Sequence, residues 1–297
     1  MIALLLTALT ALAARGPQRS FAQHPAGDTV RFDVAWTDAS GHPDQLSFSL
    51  PAAAVDADKE EITWLPRREI NEQGAAAIRA WGRTLPGTKV QATVEKGTVQ
   101  VRVSGTGDLR AALKQAELVR EQATDAWLAD HGGTRLEDGS LSFDHAALAA
   151  DYAPALAPVA AALREGTASD RAFVARALAF VQAIPYEARK RRGGDPGYRR
   201  PLALLARNRG DCDSKSVLFL ALVRAELPTL PLAALYVPGH MLVGVGLPAE
   251  GADKRFTVEG TPLLYAEPVG PALWPLGAKV PRSHRAGHAE ARLVPAS

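Results

Sequence analysis

The single cysteine of the chain, Cys212, precedes an apolar run and is followed along the sequence by a histidine and a glutamate. His240 comes directly after a Pro-Gly pair, and Glu259 ends a short apolar run. A thiol attacks a carbonyl only as its thiolate, which a neighbouring imidazole or the positive end of a helix can generate. The types and order of these residues are those of a nucleophile, its base and an orienting carboxylate.

The cysteine segment predicts the head of a helix. Residues 216–225 are apolar nearly all round, which is typical of a buried central helix. Asp211 is a good N-cap, so Cys212 falls in the first turn, where unpaired amides and the helix dipole favour an anion. Asp211 and Asp213 therefore support this helix head, and the Cys212 N–H is a candidate oxyanion donor. From this position and the downstream imidazole we expect the pKa of Cys212 to be depressed.

Strands are expected to hold the base and the carboxylate. Residues 232–237 have the pattern of a buried strand, a second strand begins at His240, and a third, 256–259, ends in Glu259. A carboxylate at that end could accept the imidazole N–H and fix its tautomer. Asp253 is the alternative source of this carboxylate.

Each of the three residues also has a structural interpretation. A free cysteine is commonly a small buried hydrophobe, a histidine at a strand end can serve the fold alone, and a lone glutamate is usually solvated. Mixed sulfur, nitrogen and oxygen ligands also bind zinc, so Cys212, Asp213, His240 and Glu259 are an alternative metal set. No C-x-x-C spacing supports that alternative, and we expect neither a metal nor another cofactor.

Length and composition describe a soluble protein. The 297 residues are 47% hydrophobic and 22% charged, which suits one large domain or two modest ones. The net charge of +2 provides no global field for nucleic acid, so we expect no nucleic-acid partner. With a single cysteine, the chain can form no internal disulfide.

The N-terminal residues predict export. Residues 2–14 are apolar, too short to span a bilayer, and end in a small-residue Ala-Leu-Ala pattern. We interpret residues 1–23 as a signal peptide or an N-terminal anchor. The protein is therefore expected to be periplasmic or secreted, with no integral membrane span in its mature form.

Periodicity predicts how the rest of the chain is organised. Alternating apolar residues favour strands at 29–37 and 46–50 and a hairpin at 90–103 that turns at Gly97. Helical spacing favours helices at 70–85, 108–131 and 169–183, and Pro154 and Pro158 weaken the helical pattern at 152–166. The expected divisions are an N-terminal mostly β domain (28–107), a helical connector (108–168), a catalytic domain (169–275) and a loosely ordered tail (276–297).

A basic loop directly precedes the cysteine segment. Glycine and proline interrupt residues 186–200, which carry Arg189, Lys190, Arg191, Arg192, Arg199 and Arg200. Residues 189–200 are a candidate site for an anionic partner, although such charge runs are more often solvated loops. Because of its position we take Arg192 and Tyr198 as candidate substrate-binding residues.

The order of these elements resembles the transglutaminase-like superfamily of papain-type thiol enzymes, in particular its bacterial exported members. The matching segments are 180–186, 210–213 with the apolar helix that follows, 239–240 and 258–261, within residues 170–270. The resemblance implies that Cys212 is the nucleophile, His240 the base and Glu259 the counterpart of the family's usual aspartate. No aromatic residue follows His240, where many members carry one.

The resemblance also implies a fold and a reaction. The expected fold class is α+β, with an N-terminal mostly β domain followed by a transglutaminase-like domain whose cysteine begins a central helix packed on an antiparallel sheet. The expected activity is a thiol-dependent amide hydrolase, either a peptidase or an amidase, that transfers an acyl group from a peptide or other amide substrate. Transfer to an amine would make it a transamidase. The alternative is a non-catalytic binding or accessory module, in which the three side chains would not converge.

Overall fold

The computed structural model describes residues 16–59, 62–63, 65–187, 198–278 and 290–296. The fold is mixed α and β, with an N-terminal sheet region followed by helices, as the coarse fold class predicted. Contacts between Cα atoms divide the chain into two units. The first unit draws on Met1–Glu61, Ala149–Ala188 and Arg200–Ser297, and the second draws on Ile62–Leu148 and Arg189–Arg199.

A three-stranded antiparallel sheet begins the first unit. Its strands are β1 (Gln18–Ala26), β2 (Thr29–Thr37) and β3 (Pro43–Pro51), in that order, and helix α1 (Ala52–Lys59) follows. Phe32, Val34 and Trp36 alternate with partly or fully exposed residues along β2, so one face of the sheet is buried. The strand predicted at 29–37 is confirmed, and the one predicted at 46–50 lies within β3.

The second unit packs two helices against a hairpin. Its elements are β4 (Ile62–Thr63), α2 (Arg67–Gly82), β5 (Thr88–Glu95), β6 (Thr98–Gly105), α3 (Leu109–Asp130), β7 (Gly133–Arg135), β8 (Leu141–Phe143) and β9 (Tyr198–Arg199). Gly97 has φ +77° between β5 and β6, which is the left-handed conformation that the hairpin turn requires. A core of Ala75, Ile78, Ala92 and Ala116 joins α2, α3 and β5. The predicted hairpin and both predicted helices are confirmed.

Helix α4 (His145–Arg164) runs from the second unit into the first and contains Pro154 and Pro158. The helix accommodates both prolines, which weakened its pattern in the sequence. A stripe at helical spacing is buried along α4: Ala149, Ala153, Leu156, Ala160 and Leu163. Burial of this stripe offsets the backbone hydrogen bonds that proline removes. Among the described residues, α4 alone is long and apolar enough to cross a membrane, and its buried stripe is equally that of a core helix.

A five-stranded antiparallel sheet and three helices complete the first unit. The helices are α5 (Asp170–Ala183), α6 (Pro201–Arg207) and α7 (Cys212–Glu226), and the strands are β10 (Leu232–Val237), β11 (His240–Val245), β12 (Arg255–Val258), β13 (Thr261–Ala266) and β14 (Glu290–Leu293). The sheet order is β12-β13-β11-β10-β14. Helix α7 contacts β10, β11, α5 and α6, and its residues 214–224 are all buried. A helix apolar all round is thus surrounded on every side, as its composition predicted.

The two compact units do not follow the predicted domain boundaries. The Trp36 ring of β2 packs edge-on against Phe180 of α5 at 5.5 Å between centroids. Arg176 of α5 forms a two-pronged ion pair with Asp44 of β3 at 2.9 Å. The N-terminal sheet therefore belongs to the same unit as the cysteine helix. Alternation along a strand shows which face is buried and does not show what covers it.

The structure also differs from the predicted boundaries of the N-terminal segment and of the C-terminal tail. Residues 18–23 lie in β1, so the segment predicted at 1–23 is too long, and residues 1–15 lie outside the described residues. The loosely ordered tail predicted at 276–297 is wrong for Glu290–Leu293, which pair with β10 as an edge strand.

Candidate active site

Cys212 is the first residue of α7, and Asp211 is the N-cap. The Asp211 carboxylate accepts a hydrogen bond from the Ser214 backbone N–H at 3.0 Å, which satisfies one of the unpaired amides of the first turn. The free Cys212 thiol is partly buried. The predicted cap and the predicted place of the cysteine are both confirmed.

The electrostatic surroundings of the thiol differ from the expectation. Burial raises the pKa of the Cys212 thiol well above its usual range, and the charges of Asp213 and Asp211 raise it further. The thiol donates a hydrogen bond to Asp213 Oδ1 at 3.3 Å. A hydrogen bond from the Met241 backbone N–H to the sulfur opposes these effects and is outweighed. The predicted depressed pKa is therefore wrong, because burial of the thiol and, after it, the charges of two carboxylates outweigh the effect of the helix head.

His240 is the first residue of β11 and is paired with Glu267. Its Nε2 lies 2.7 Å from Glu267 Oε2, and the two side chains are 2% and 6% exposed. Strand β13 places the carboxylate there, because it pairs with β11 and ends at Ala266. The Val269 backbone N–H donates to Glu267 Oε1 at 3.0 Å, so both carboxylate oxygens have a partner. A buried imidazole is held by a buried carboxylate in one orientation.

The prediction that Glu259 supplies this carboxylate is wrong. Glu259 has φ +49° and Gly260 φ +82°, and Val258 pairs with Thr261, so these residues form a two-residue hairpin turn. The Glu259 side chain is exposed on this turn. The alternative, Asp253, is bonded to Arg171 and to the Glu250 backbone N–H.

Glu267 was missed although the sequence carried a signal for it. The apolar run 263–266 ends in this glutamate immediately before a proline, and it is a longer run than the one before Glu259. A Glu-Gly pair between two short apolar runs is a hairpin signal, since glycine readily adopts positive φ. Recognising the turn would have moved the candidate carboxylate from the loop to the end of the next strand.

A polar network extends from Glu267 into the core. The Gln182 side-chain amide of α5 donates to the Glu267 carbonyl oxygen at 2.8 Å and to the Trp274 carbonyl oxygen at 2.9 Å. Lys215, one turn beyond Cys212, is fully buried and donates to the carbonyl oxygens of Gln182 and Ile184 at 3.2 and 2.7 Å. Burial lowers the pKa of Lys215 to about 7, and the Glu267 charge opposes this shift.

The fold therefore brings together the head of α7, the start of β11 and the end of β13. The Met241 N–H that bonds the sulfur belongs to the residue after His240. Helix α7 contacts β11, the strand that His240 begins. A thiol, a buried imidazole and a buried carboxylate in this order are the components of acyl transfer.

The two predicted substrate-binding residues have different outcomes. Tyr198 is 1% exposed in the second unit, where its ring packs against Phe143 and His145, so it offers no surface to a ligand. Its assignment as a substrate-binding residue is wrong. Arg192, like residues 188–197 of the basic loop, lies outside the described residues. Arg200, at the end of that loop, lies 3.7 Å from Asp58.

Over the described ranges, no group of three or more His, Cys, Asp or Glu side chains is arranged to hold a metal ion. The alternative metal set also loses Glu259, which lies on the exposed hairpin turn. Comparison of the chain with protein-family models, with curated proteins and with solved structures finds no match.

Proposed function

We propose that the protein is a thiol-dependent amide hydrolase of transglutaminase-like architecture, with Cys212, His240 and Glu267 as its triad. The observation that carries the proposal is the buried His240–Glu267 pair at 2.7 Å, next to the Met241 N–H that bonds the Cys212 sulfur. A buried imidazole needs a partner, and a carboxylate aligned on one ring nitrogen prepares the other nitrogen to act as a base. Export to the periplasm or the cell exterior remains part of this proposal.

The reaction follows from the roles of these groups. Glu267 holds the proton of His240 on Nε2, so Nδ1 accepts the proton of the Cys212 thiol. The thiolate attacks the amide carbonyl carbon, and the Cys212 N–H at the helix head stabilises the oxyanion. The carbon–nitrogen bond then breaks, and His240 donates its proton to the departing amine. Water, deprotonated by His240, attacks the thioester, and release of the carboxylic acid restores the thiol.

The raised pKa of Cys212 determines how this reaction begins. Because burial and the neighbouring carboxylates raise this pKa, the protonated thiol is favoured at neutral pH before substrate binds. Proton transfer to His240 must accompany substrate binding or attack. General-base catalysis does not need a preformed thiolate, because the base removes the proton as the sulfur attacks.

A non-catalytic binding module is the second candidate function. Burial of the Cys212 thiol and the two carboxylates that flank it favour this function, because they suppress the nucleophilic thiolate. On this alternative the His240–Glu267 pair serves only to join β11 to β13. The two functions differ in whether Cys212 forms a bond to an amide substrate.

The proposed function is tested by cleavage of a peptide library in water enriched in oxygen-18, followed by mass spectrometry. Hydrolysis through a thioester places one heavy oxygen in each new carboxyl group. We expect new termini with the wild-type protein, none with Cys212→Ala, and at least about tenfold fewer with His240→Ala. Glu259→Gln is the matched control and should cleave like the wild type, because Glu259 lies on the exposed turn.

Adding methylamine to the same reaction separates the two acyl acceptors. Methylamide products in place of heavy-oxygen carboxylates would identify a transamidase. Cleavage that persists in Cys212→Ala, or an absence of any product with the wild type, would exclude the hydrolase and favour the binding module.

A further inference from the structure

An apolar cavity adjoins the chain segments that carry the candidate triad. Its volume is about 310 Å³, and its apolar lining includes Pro17, Ile184, Pro185, Tyr186 and Pro271. This volume is at the lower end of the range for ligand pockets, roughly 300–1,000 Å³, and suits one side chain or a short acyl group. Among the described residues that line the cavity, none is charged.

Two walls of the cavity connect directly to the candidate site. Tyr186 forms a parallel β-bridge with Gly210, and the Glu187 N–H donates to the Gly210 carbonyl oxygen at 3.0 Å. Gly210 precedes Cys212 by two residues. Pro271, which also lines the cavity, follows Glu267 by four residues. The Tyr186–Gly210 bridge therefore ties one wall of the cavity to the segment that leads into Cys212.

The cavity walls are held rigidly while their apolar surface stays open. Lys215 bonds the Ile184 carbonyl oxygen at 2.7 Å, and the Gln18 and Asn208 side-chain amides bond each other at 2.9 and 2.7 Å. Tyr186 is nevertheless 44% exposed, one of the few large apolar side chains in the described residues with that exposure. Exposed apolar surface lining a concave site favours an apolar ligand group, because a charged group would lose its hydration there without a partner.

We propose that this cavity is the specificity pocket of the enzyme and that it takes an apolar side chain of the amide substrate. The inference rests on the proposed function, since it assigns the cavity to a substrate held at Cys212. It identifies the substrate class as amides with an apolar side chain next to the scissile carbonyl. Acidic and basic side chains at that position are poor substrates.

The first test compares rates of Cys212 alkylation by three probes. They are iodoacetamide, which has no side chain, and the chloromethyl ketones of N-acetyl-phenylalanine and N-acetyl-aspartate. We expect the phenylalanine probe to react at least about tenfold faster than the aspartate probe with the wild type. Tyr186→Ala and Ile184→Thr should each reduce this ratio several-fold and leave the iodoacetamide rate unchanged.

The matched control is Leu118→Ala, because Leu118 is 42% exposed on α3 of the second unit and lies outside the cavity lining. This control should keep the wild-type ratio. Equal rates for the two ketones, or a ratio that survives both cavity variants, would overturn the pocket while leaving the proposed function intact.

A second experiment measures ligand binding to the cavity in a protein that lacks the Cys212 thiol. Binding of N-acetyl-phenylalaninamide to the Cys212→Ala protein is followed by changes in its NMR spectrum. We expect binding at millimolar concentrations that Tyr186→Ala weakens several-fold and Leu118→Ala does not. If the peptide-library assay fails but this binding is seen, the hydrolase is wrong and the apolar site stands. Absence of binding overturns the site.

Discussion

The two ends of α7 each bury a cation, and they differ in what surrounds it. At the C-terminal end, Arg224 donates to the carbonyl oxygens of Pro228, Leu230 and Val294 at 2.6 to 2.9 Å. At the N-terminal end, Lys215 also donates to carbonyl oxygens, but Glu267 is close enough to influence its pKa. A buried charge bonded to backbone can be wholly structural. A buried charge beside other titratable groups can also adjust their chemistry.

Burial lowers the pKa of both cations, so neither shift by itself marks a site. The N-terminal end is distinguished by a thiol, an imidazole and a carboxylate on three separate elements. The C-terminal end instead joins the helix to the loop that follows it and to the residue after β14. If this comparison is correct, substitutions at the C-terminal end change stability, and substitutions at the N-terminal end change reactivity.

Arg224→Met gives the largest expected effect. It leaves three buried or partly buried carbonyl oxygens without their donor, and we expect a loss of about 4 kcal/mol in the free energy of unfolding. Urea unfolding measures this loss. The folded variant should still react with iodoacetamide at the wild-type rate. If Arg224→Met loses less than about 1 kcal/mol of stability, or clearly changes the alkylation rate of Cys212, the proposed difference between the two ends of α7 is wrong.

Lys215→Met tests the other buried cation through pH. The folded-state pKa is about 7, below the ordinary value of 10.5, so the unfolded chain binds more protons between these two values. The wild type should therefore gain stability relative to Lys215→Met as pH rises above 7. We expect a relative gain of about 2 kcal/mol between pH 7 and pH 9, after allowing for partial relaxation around the charge.

Carboxylates and imidazoles ordinarily titrate below this pH window, and titration of the Cys212 thiol is common to both proteins and cancels in the difference between them. The hydrogen bonds to Gln182 and Ile184 that Lys215→Met loses lower its stability at every pH. Their loss does not change how the stability difference between the two proteins varies with pH. A stability difference that is flat from pH 7 to pH 9 would show that Lys215 titrates normally.

Asp213→Asn gives a smaller effect, and it is an increase in the alkylation rate of Cys212. The Asp213 charge helps to raise the pKa of Cys212, so its removal should lower that pKa and raise the thiolate fraction. We expect iodoacetamide to react about three- to tenfold faster at pH 8. Asp170→Asn, in the first turn of α5, is the control and should leave the rate unchanged. A slower reaction of Asp213→Asn would indicate that this residue promotes ionisation of the thiol.

Local patterns predicted those parts of the site that depend on a few neighbouring residues. An aspartate before an apolar run predicted the cap and the place of Cys212, and a Pro-Gly pair predicted the start of β11 at His240. Predicting which carboxylate pairs with His240 required knowing how the strands pair. Glu259 and Glu267 both end apolar runs, and the hairpin turn between those runs decides which of them reaches the imidazole.

Long-range packing was the other limit on prediction from sequence. The burial of Trp36 follows from alternation, but its contact with Phe180 crosses more than a hundred residues. The raised pKa of Cys212 has a similar origin, because burial is its largest cause and depends on the whole unit. The predicted domain boundaries and the predicted depressed pKa of Cys212 therefore failed for the same reason. Each depends on contacts between segments that are far apart in the sequence.

The most direct test of the account is a double-mutant cycle on the alkylation rate of Cys212. The four proteins are the wild type, His240→Ala, Glu267→Gln and the double variant, each checked for folding by circular dichroism. If Glu267 acts through His240, Glu267→Gln should slow alkylation about tenfold in the wild type and less than about twofold in the His240→Ala background. Equal losses in both backgrounds, or no loss from His240→Ala, would contradict a triad of Cys212, His240 and Glu267.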